Sequence, residues 1–401
     1  MKPLKSKRRS IILGVVAACG VLMAGVGGAF AQQTPGITDK EIRLGAWVPL
    51  TGPVAPYGIP QRAGMEAYLN MVNDQGGIKG RKFNLIVEDN AFNPQRTVAA
   101  ARKLINRDEV FALMVPNGSA QSAATFEYVL SEQKVPLINA YGGGIEWYTP
   151  PRENLYGAYP LPEAQTKILG RWAAKDGHKN VVVVYGALAS FEAFASHVAP
   201  GARSVRPDTN ITLYPVKFGS TDYSPIALDL ANKKPDALIL LLVEQEVVSM
   251  VKELRQQNFR PQLYSWAPNV SNSLVNLAGP GMEGFKAVSY VVPPTIDTPA
   301  VREYRDAIAK YAPNEKPDYV SLTSFALTKI FVEAMRRIDG PITRQALTKS
   351  MDSLRNYDTG ILPPVTYSPE RHLGNSSLHR VQLVNGRWTA ISAPVDPDKD
   401  W

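Results

Sequence analysis

Cysteine is almost missing from this chain: Cys19 is the single one among 401 residues. Once an N-terminal leader containing it is removed, no disulfide, thiol nucleophile or thiolate metal site can be built. Histidine is also scarce, and His178, His197, His372 and His379 show no HxxxH-type spacing that would bring two imidazoles to one metal on a helix. No Gly-x-Ser-x-Gly elbow and no Walker loop occurs, so neither a hydrolase nucleophile nor an ATP-hydrolysing loop is encoded. The expectation is a protein that is not an enzyme and that needs no cofactor and no metal. Short repeats and long compositionally biased stretches are absent as well. Past residue 31 no apolar run approaches the ~20 residues that would span a bilayer.

What is present begins with an address label. Lys2, Lys5, Lys7, Arg8 and Arg9 precede an apolar run from Ile11, and Ala29-Phe30-Ala31 before Gln32 fits a small-x-small cleavage site. Residues 1–31 are therefore expected to be a cleaved secretory signal peptide. They carry five basic residues and no acidic one, so their loss lowers the formal charge from +8 to +3. So small an excess weakens any reading as a nucleic-acid binder, which needs basic residues massed on one face. Two rival readings of the segment stay open. The run is about long enough for an uncleaved anchor, and Val16-Ala-Ala-Cys19 resembles a lipoprotein box. Gly20-Val-Leu-Met23 continues the apolar region where a lipoprotein would turn polar, which favours the soluble form. Arg8-Arg9-Ser-Ile-Ile is a weak twin-arginine match.

The remaining 370 or so residues exceed what one hydrophobic core comfortably holds, so two lobes are expected. Helical and strand periodicities alternate along them. Met65, Leu69 and Val72 share one helical face, and Gly76-Gly77 ends that helix. Phe83, Leu85 and Val87 alternate as in a strand, and Asn93-Pro94 is a cap followed by a first-turn proline. Val110–Met114 and Val135–Ile138 read as short strands. After Pro160, Val181–Tyr185, Ile211–Tyr214, Ala237–Val243 and Gln262–Trp266 read as strands separated by helices. Near-continuous apolar runs suit parallel strands covered on both faces, and the alternation predicts doubly wound α/β lobes. Towards the end, helices are expected over 301–311, 319–338 and 342–354. Strands are expected at Val365–Tyr367, at Leu378–Val384 and from Arg387, the last two a hairpin around Asn385-Gly386.

One stretch says more than the rest. Ile42-Arg-Leu-Gly-Ala-Trp-Val-Pro-Leu-Thr-Gly-Pro53, then Tyr57-Gly58, a helical run, Gly76-Gly-Ile-Lys-Gly-Arg-Lys82 and Phe83-Asn-Leu-Ile-Val-Glu-Asp-Asn90 form one β-α-β unit. In order and content it resembles the start of the branched-chain amino acid (leucine/isoleucine/valine) type of periplasmic solute-binding protein that serves ABC importers. The resemblance extends from Ile37-Thr-Asp-Lys-Glu-Ile42 to Pro363-Pro-Val-Thr-Tyr367 and Asn385-Gly386. It implies a type I periplasmic-binding-protein fold, two doubly wound α/β lobes joined by a three-strand hinge. The N-terminal lobe would take residues 38–160 and 293–362, and the C-terminal lobe 161–292 and 363–395. Crossings are expected near Tyr159–Pro162, Ser289–Pro293 and Leu362–Tyr367. The implied activity is delivery of a small organic solute, by lobe closure, to ABC permease membrane subunits with separate ATPase subunits. The protein would be periplasmic and act as a monomer.

Ligands of open parallel sheets lie beyond the carboxyl ends of the strands, which directs attention to five loops. Val115-Pro-Asn-Gly-Ser-Ala-Gln-Ser122 leads into a helix, whose N-terminal N–H groups suit a carboxylate. Asn139-Ala-Tyr-Gly-Gly-Gly-Ile145 exposes further N–H groups. The resemblance carries the carboxylate-holding role onto Asn117, Gly118, Ser119, Ala120 and Gln121, and onto Ala140, Tyr141, Gly142 and Gly143. Tyr57 is a further candidate wall. A plain Ser or Asn cap and an ordinary turn tyrosine are the competing readings.

The second lobe departs from the family pattern. Where amino-acid-binding members carry tyrosines, alignment places Ser190, followed by Phe191, and Val243; where they carry the glutamate that meets the ammonium, it places Ala267. A desolvated ammonium requires acceptors and preferably a negative charge. Glu244 or Glu246 would supply one if the register slips, although a helix-start glutamate is the plainer reading. The expected solute is a carboxylate with an apolar or aromatic body, contacted by Phe191, Trp266 and Tyr141. Three alternatives remain: lobe-packing rings with no ligand role, a true branched-chain amino acid binder, and a ligand sensor of the same fold, as in receptors and amide regulators.

Overall fold

Ile42, Leu44, Ala46 and Val48 are all inaccessible to solvent, and from Leu44 onward both faces of the strand are covered. Glu41–Val48 is thus a central strand, β1. In the computed structural model, which describes residues 34–399, it pairs in parallel with β2 (Lys82–Asp89) on one side and β3 (Ala112–Met114) on the other. Parallel β4 (Leu137–Ile138) and β5 (Leu155–Tyr156) complete a five-stranded sheet in the order β2-β1-β3-β4-β5. The expected leader at 1–31, with Cys19, lies outside the described residues.

The α-helices described in this first part are α1 (Ala55–Asp74), α2 (Pro94–Asn106) and the short α3 (Ser119–Ala123). Asn93 caps α2 by accepting from Arg96 N–H at 2.9 Å, with Pro94 in the first turn. The second part supplies α4 (Pro162–Lys175), α5 (Ala189–Ser196), α6 (Val198–Arg203), α7 (Ser224–Lys233), α8 (Glu244–Gln256) and α9 (Asn272–Ala278). Its sheet contains β6 (Asn180–Gly186), β7 (Asn210–Val216), β8 (Ala237–Leu241), β9 (Gln262–Ser265), β10 (Lys286–Ser289), β11 (His379–Val384) and β12 (Arg387–Ala390). Their order is β12-β11-β10-β9-β8-β6-β7. Among the described strands of this sheet β11 alone runs against the others, pairing antiparallel with β10 and, through the hairpin, with β12.

The chain returns to the first sheet for α10 (Pro299–Tyr311), α11 (Tyr319–Arg336) and α12 (Arg344–Ser353). Tyr68 of α1 meets Phe325 of α11 edge-on at 4.8 Å, and Arg344 of α12 donates to the carbonyls of Phe111 and Val110 at 3.0 and 2.9 Å. A far stretch of sequence therefore completes the core over β1–β5. Three connections join the lobes side by side: Gly157 N–H donates to His372 O at 2.9 Å, Gly374 N–H to Gly157 O at 2.7 Å, and Val292 N–H to Ile361 O at 3.0 Å. The strand expected at Val365–Tyr367 is reduced to one bridge, Tyr357 with Val365. Neighbouring prolines remove the donors that a ladder would need.

Candidate functional site

Each sheet has a place where successive crossovers turn opposite ways, and that opens a crevice at the strands' carboxyl ends. In the first sheet it lies between β1 and β3, in the second between β6 and β8. The loops leaving those four strands converge on one cleft of about 570 Å³. From the first lobe come Val54, Tyr57, Phe92, Asn117, Gly118, Ser119, Tyr141 and Gly142; Tyr159 and Pro162 come from the first crossing, and Phe191, Phe194, Val243, Trp266 and Pro268 from the second lobe. A larger groove of about 1080 Å³, lined by charged residues including Glu163, Lys167 and Arg371, shares none of these residues.

The near wall is made of fixed polar groups. Asn117 donates to Gln61 Oε1 at 2.6 Å while its own N–H is spent on Trp47 O, and Gln61 in turn donates to Val115 O at 2.6 Å. Val115 itself has φ +48°, a strained conformation for a β-branched residue that turns the chain sharply from β3 into the cleft. Ser119 Oγ accepts from Gly143 N–H at 3.0 Å, leaving its hydroxyl hydrogen free to donate. Among the described residues, no protein acceptor is found for Ser119 N–H or Gly142 N–H. Glycine is required at two points. At Gly118, φ is +104° and a Cβ would lie 2.4 Å from Gln121 Oε1; at Gly142 a Cβ would crowd Ser119 N and Oγ at 3.0 Å. The expected helix dipole counts for little, because α3 has only five residues. What remains is a cluster of donors, suited to a carboxylate.

Tyrosines extend this wall. Tyr141 lies 4.8 Å from the Tyr159 ring and 6.0 Å from that of Tyr290. Tyr290 donates to Tyr159, while Gln165 Nε2 donates to the Tyr290 hydroxyl at 2.9 Å. Burial pushes the phenols of Tyr57, Tyr141, Tyr159 and Tyr290 upward from the ordinary tyrosine range. They stay neutral hydrogen-bond donors.

The far wall is apolar. Phe191 meets Trp266 edge-on at 4.9 Å and Phe218 at 6.0 Å, and Phe194 flanks Phe191 at 6.2 Å. Trp266 Nε1 is anchored on Leu242 O at 3.1 Å, so the indole is held at both its polar and its apolar edges. Neither candidate glutamate reaches the cleft. Glu244 accepts from Ser271 Oγ at 2.7 Å and Ser273 Oγ at 2.5 Å, and Glu246 takes the N–H groups of Val243 and Gly219 at 3.1 and 2.7 Å. Both close off α8 and its neighbouring loops. Among the described residues no carboxylate side chain lines the cleft.

Of the residues expected from sequence, the structure gathers Tyr57, Asn117, Gly118, Ser119, Tyr141, Gly142, Phe191 and Trp266 around this space. Ala120, Gln121, Ala140, Gly143, Ser190 and Glu244 do not line it. Ala120 is exposed, Ala140 is fully buried in the core, and Ser190, in the first turn of α5, is half-buried. Gln121 turns its amide to Phe92 O at 2.7 Å, and Gly143 braces Ser119. Val54, Phe92, Tyr159, Pro162, Phe194, Val243 and Pro268 were not among the expected set. Phe194 had a readable signal, its three-residue spacing from Phe191 on one helix face. Phe92 had none, since its φ of +55° is fixed by Asn90 Oδ1 accepting from its N–H at 3.0 Å.

A periplasmic binding protein family profile matches residues 41–387. The Leu/Ile/Val-binding protein homolog 1 of Brucella melitensis biotype 1 is 23% identical over 86% of this chain and 91% of its own length. Two solved structures share the fold. A branched chain amino acid ABC transporter protein from Thermus thermophilus with bound valine is 18% identical, with TM-score 0.81 over 90% of this chain and 97% of that one. A solute binding protein of an ABC transporter from Rhodopseudomonas palustris BisB5, in complex with 3,4-dihydroxy benzoic acid, is 19% identical, with TM-score 0.76 over 90% and 98%.

Proposed function

Since this chain belongs to the periplasmic binding protein family, we propose that it carries a small organic acid with an aromatic or apolar body to the membrane subunits of an ABC permease. The fold and the family are those of substrate-binding proteins, and family membership places the chain outside the cytoplasm. Among the described residues no helix is long and apolar enough to cross a membrane. Export through a cleaved leader at 1–31 and action as a monomer are parts of the same reading.

One observation carries the choice of solute: the cleft joins a cluster of neutral donors to seven aromatic rings and has no carboxylate. A carboxylate head gains hydrogen bonds from Ser119, Gly142 and neighbouring groups. An ammonium group would be desolvated with no opposite charge, a cost of several kcal/mol by the usual measure of buried ions. The geometry of two half-sites supports a mechanism of lobe closure. A solute seated on either wall gains the other wall's contacts only in the closed form, so it shifts the population towards closure.

A branched-chain amino acid remains the second reading, favoured by the name of the Brucella relative. A thermal-shift panel of benzoate, 3,4-dihydroxybenzoate, octanoate, leucine and valine tests both, backed by mass spectrometry of co-purifying solute. A ligand at a hundred times its Kd adds about 2.7 kcal/mol of stability, so true ligands will be obvious. Stabilisation by the aromatic or aliphatic acids is expected. Tight binding of leucine or valine, with no response to any of the acids, would overturn the proposal.

A further inference from the structure

The hydroxyl of Tyr57 leaves the wall of its own lobe and ends in the other. Its residue sits in the first turn of α1, is 5% exposed, and presents its ring to the cleft. The oxygen accepts from Glu244 N–H at 2.7 Å and the hydroxyl donates to Asn269 Oδ1 at 2.9 Å. Both partners belong to the second lobe and both are set for this one group. Glu244 N–H opens α8, where no intrahelical acceptor exists. Asn269 spends its Nδ2 hydrogens on Leu242 O and Ser265 Oγ, each at 2.9 Å, which fixes the amide with Oδ1 turned towards Tyr57. The far lobe therefore offers one donor and one acceptor side by side, and a neutral phenol is the group that matches both.

We propose that Tyr57 is a positioning residue, a latch that ties solute contact to lobe closure by making its ring part of the binding wall and its hydroxyl a lobe-to-lobe bond. No solute atom takes part in the two hydrogen bonds. They bias the lobes towards closure by themselves, and a solute packed on the ring adds to an equilibrium already tilted. In an open form water satisfies Glu244 N–H and Asn269 Oδ1; in a closed form without the hydroxyl both are buried and unpaired. The latch rests on the lobe-closure part of the reading above and not on the solute's identity.

The test replaces Cys19 with serine in the full chain and adds spin labels through Gln95→Cys and Gln245→Cys, exposed positions on α2 and α8. Interlobe distances are measured with no solute added. A short-distance population is expected in the parent, with loss of most of it in Tyr57→Phe, which keeps the ring. Asn269→Ala should shift it too, and the double variant should open no further than the stronger single one, because both act on one bond. Circular dichroism checks that each variant folds. Identical distance distributions in the parent and Tyr57→Phe would overturn the latch. Benzoate as the probe supplies a second reading: its dissociation should speed up roughly ten- to hundredfold in Tyr57→Phe with association little changed. An association rate that falls while dissociation stays constant would also count against the latch. If benzoate binds neither protein, the solute class fails while the distance measurement still decides the latch.

Discussion

The two walls of the cleft differ in what holds them in place. The near wall is a lattice of hydrogen bonds in which Gln61, Asn117, Ser119 and Gly143 fix backbone donors to within the tolerance of a short polar contact. The far wall is a packed set of rings, Phe191, Phe194 and Trp266, with one polar anchor at the indole nitrogen. Hydrogen bonds are directional and select a head group, whereas ring packing accepts any flat or apolar body of suitable volume. On the reading proposed above, the first lobe would hold the head group and the second would discriminate between solutes.

The largest expected effect comes from removing the far wall's anchor. Trp266→Ala should cost about 3–5 kcal/mol of stability, measured by urea unfolding, because Phe191 and Phe194 lose their packing partner. A cost below about 1 kcal/mol would mean that the far wall is not a packed unit. Next, Val243→Glu puts a charge into the apolar wall opposite the donors. Affinity for carboxylate solutes should fall some hundredfold, about 3 kcal/mol, while leucine gains relative to benzoate by calorimetry. An unchanged ranking of the two would show that the far wall does not choose.

On the near wall, Gly118→Ala forces a Cβ against Gln121 Oε1 at a positive φ. About 1–3 kcal/mol of strain is expected, read as weaker solute binding with the far wall intact. The smallest effect concerns pH. Asp318 caps α11 and accepts Asn272 N–H of α9 across the lobes at 2.7 Å. Burial, opposed by those N–H groups and reinforced by Glu244 and Glu315, pushes its carboxyl up to about 6 from 3.8. If opening lets water reach it, the open form has the lower pKa and binds the proton less tightly. Closure then strengthens as pH falls through about 6 and levels off below 3.8, on the order of 1 kcal/mol by pH 5. Interlobe distances should show this, and Asp318→Asn should abolish it. Melting temperature is the wrong probe, because burial pushes His379 down to about 4. Neutral His379 contributes stability above pH 6.5 that is lost as pH falls towards 4, the opposite sign.

Much of the scaffold was legible because it depends on local rules. The period of apolar residues located β1, β2, α1, β6 and β8, and Asn93-Pro94 marked the start of α2 at the correct residue. The hairpin at Asn385-Gly386 was equally readable, with Asn385 at φ +52° and Gly386 at +71°. Half-sites were harder. Asn117, Ser119 and Gly142 were reachable from their glycine-rich segments, but Gln121 and Glu244 sit at equally plausible helix starts and turn their side chains elsewhere. Nothing in the neighbouring residues says that Glu244 will be taken by Ser271 and Ser273, because those bonds join the starts of two separate helices.

By itself the sequence determined the alternation of strands and helices, the two-lobe plan and the family, all of which follow from apolar period, turn chemistry and one opening motif. Only the tertiary structure decided which loops meet. Strand order places the switch points at β1/β3 and β6/β8, and burial then sorts each loop's side chains into cleft, core or surface. The contact of Tyr57 with Glu244 and Asn269 spans 187 and 212 positions of chain. Such a bond exists because folding closes those distances, and no local pattern of residues encodes it.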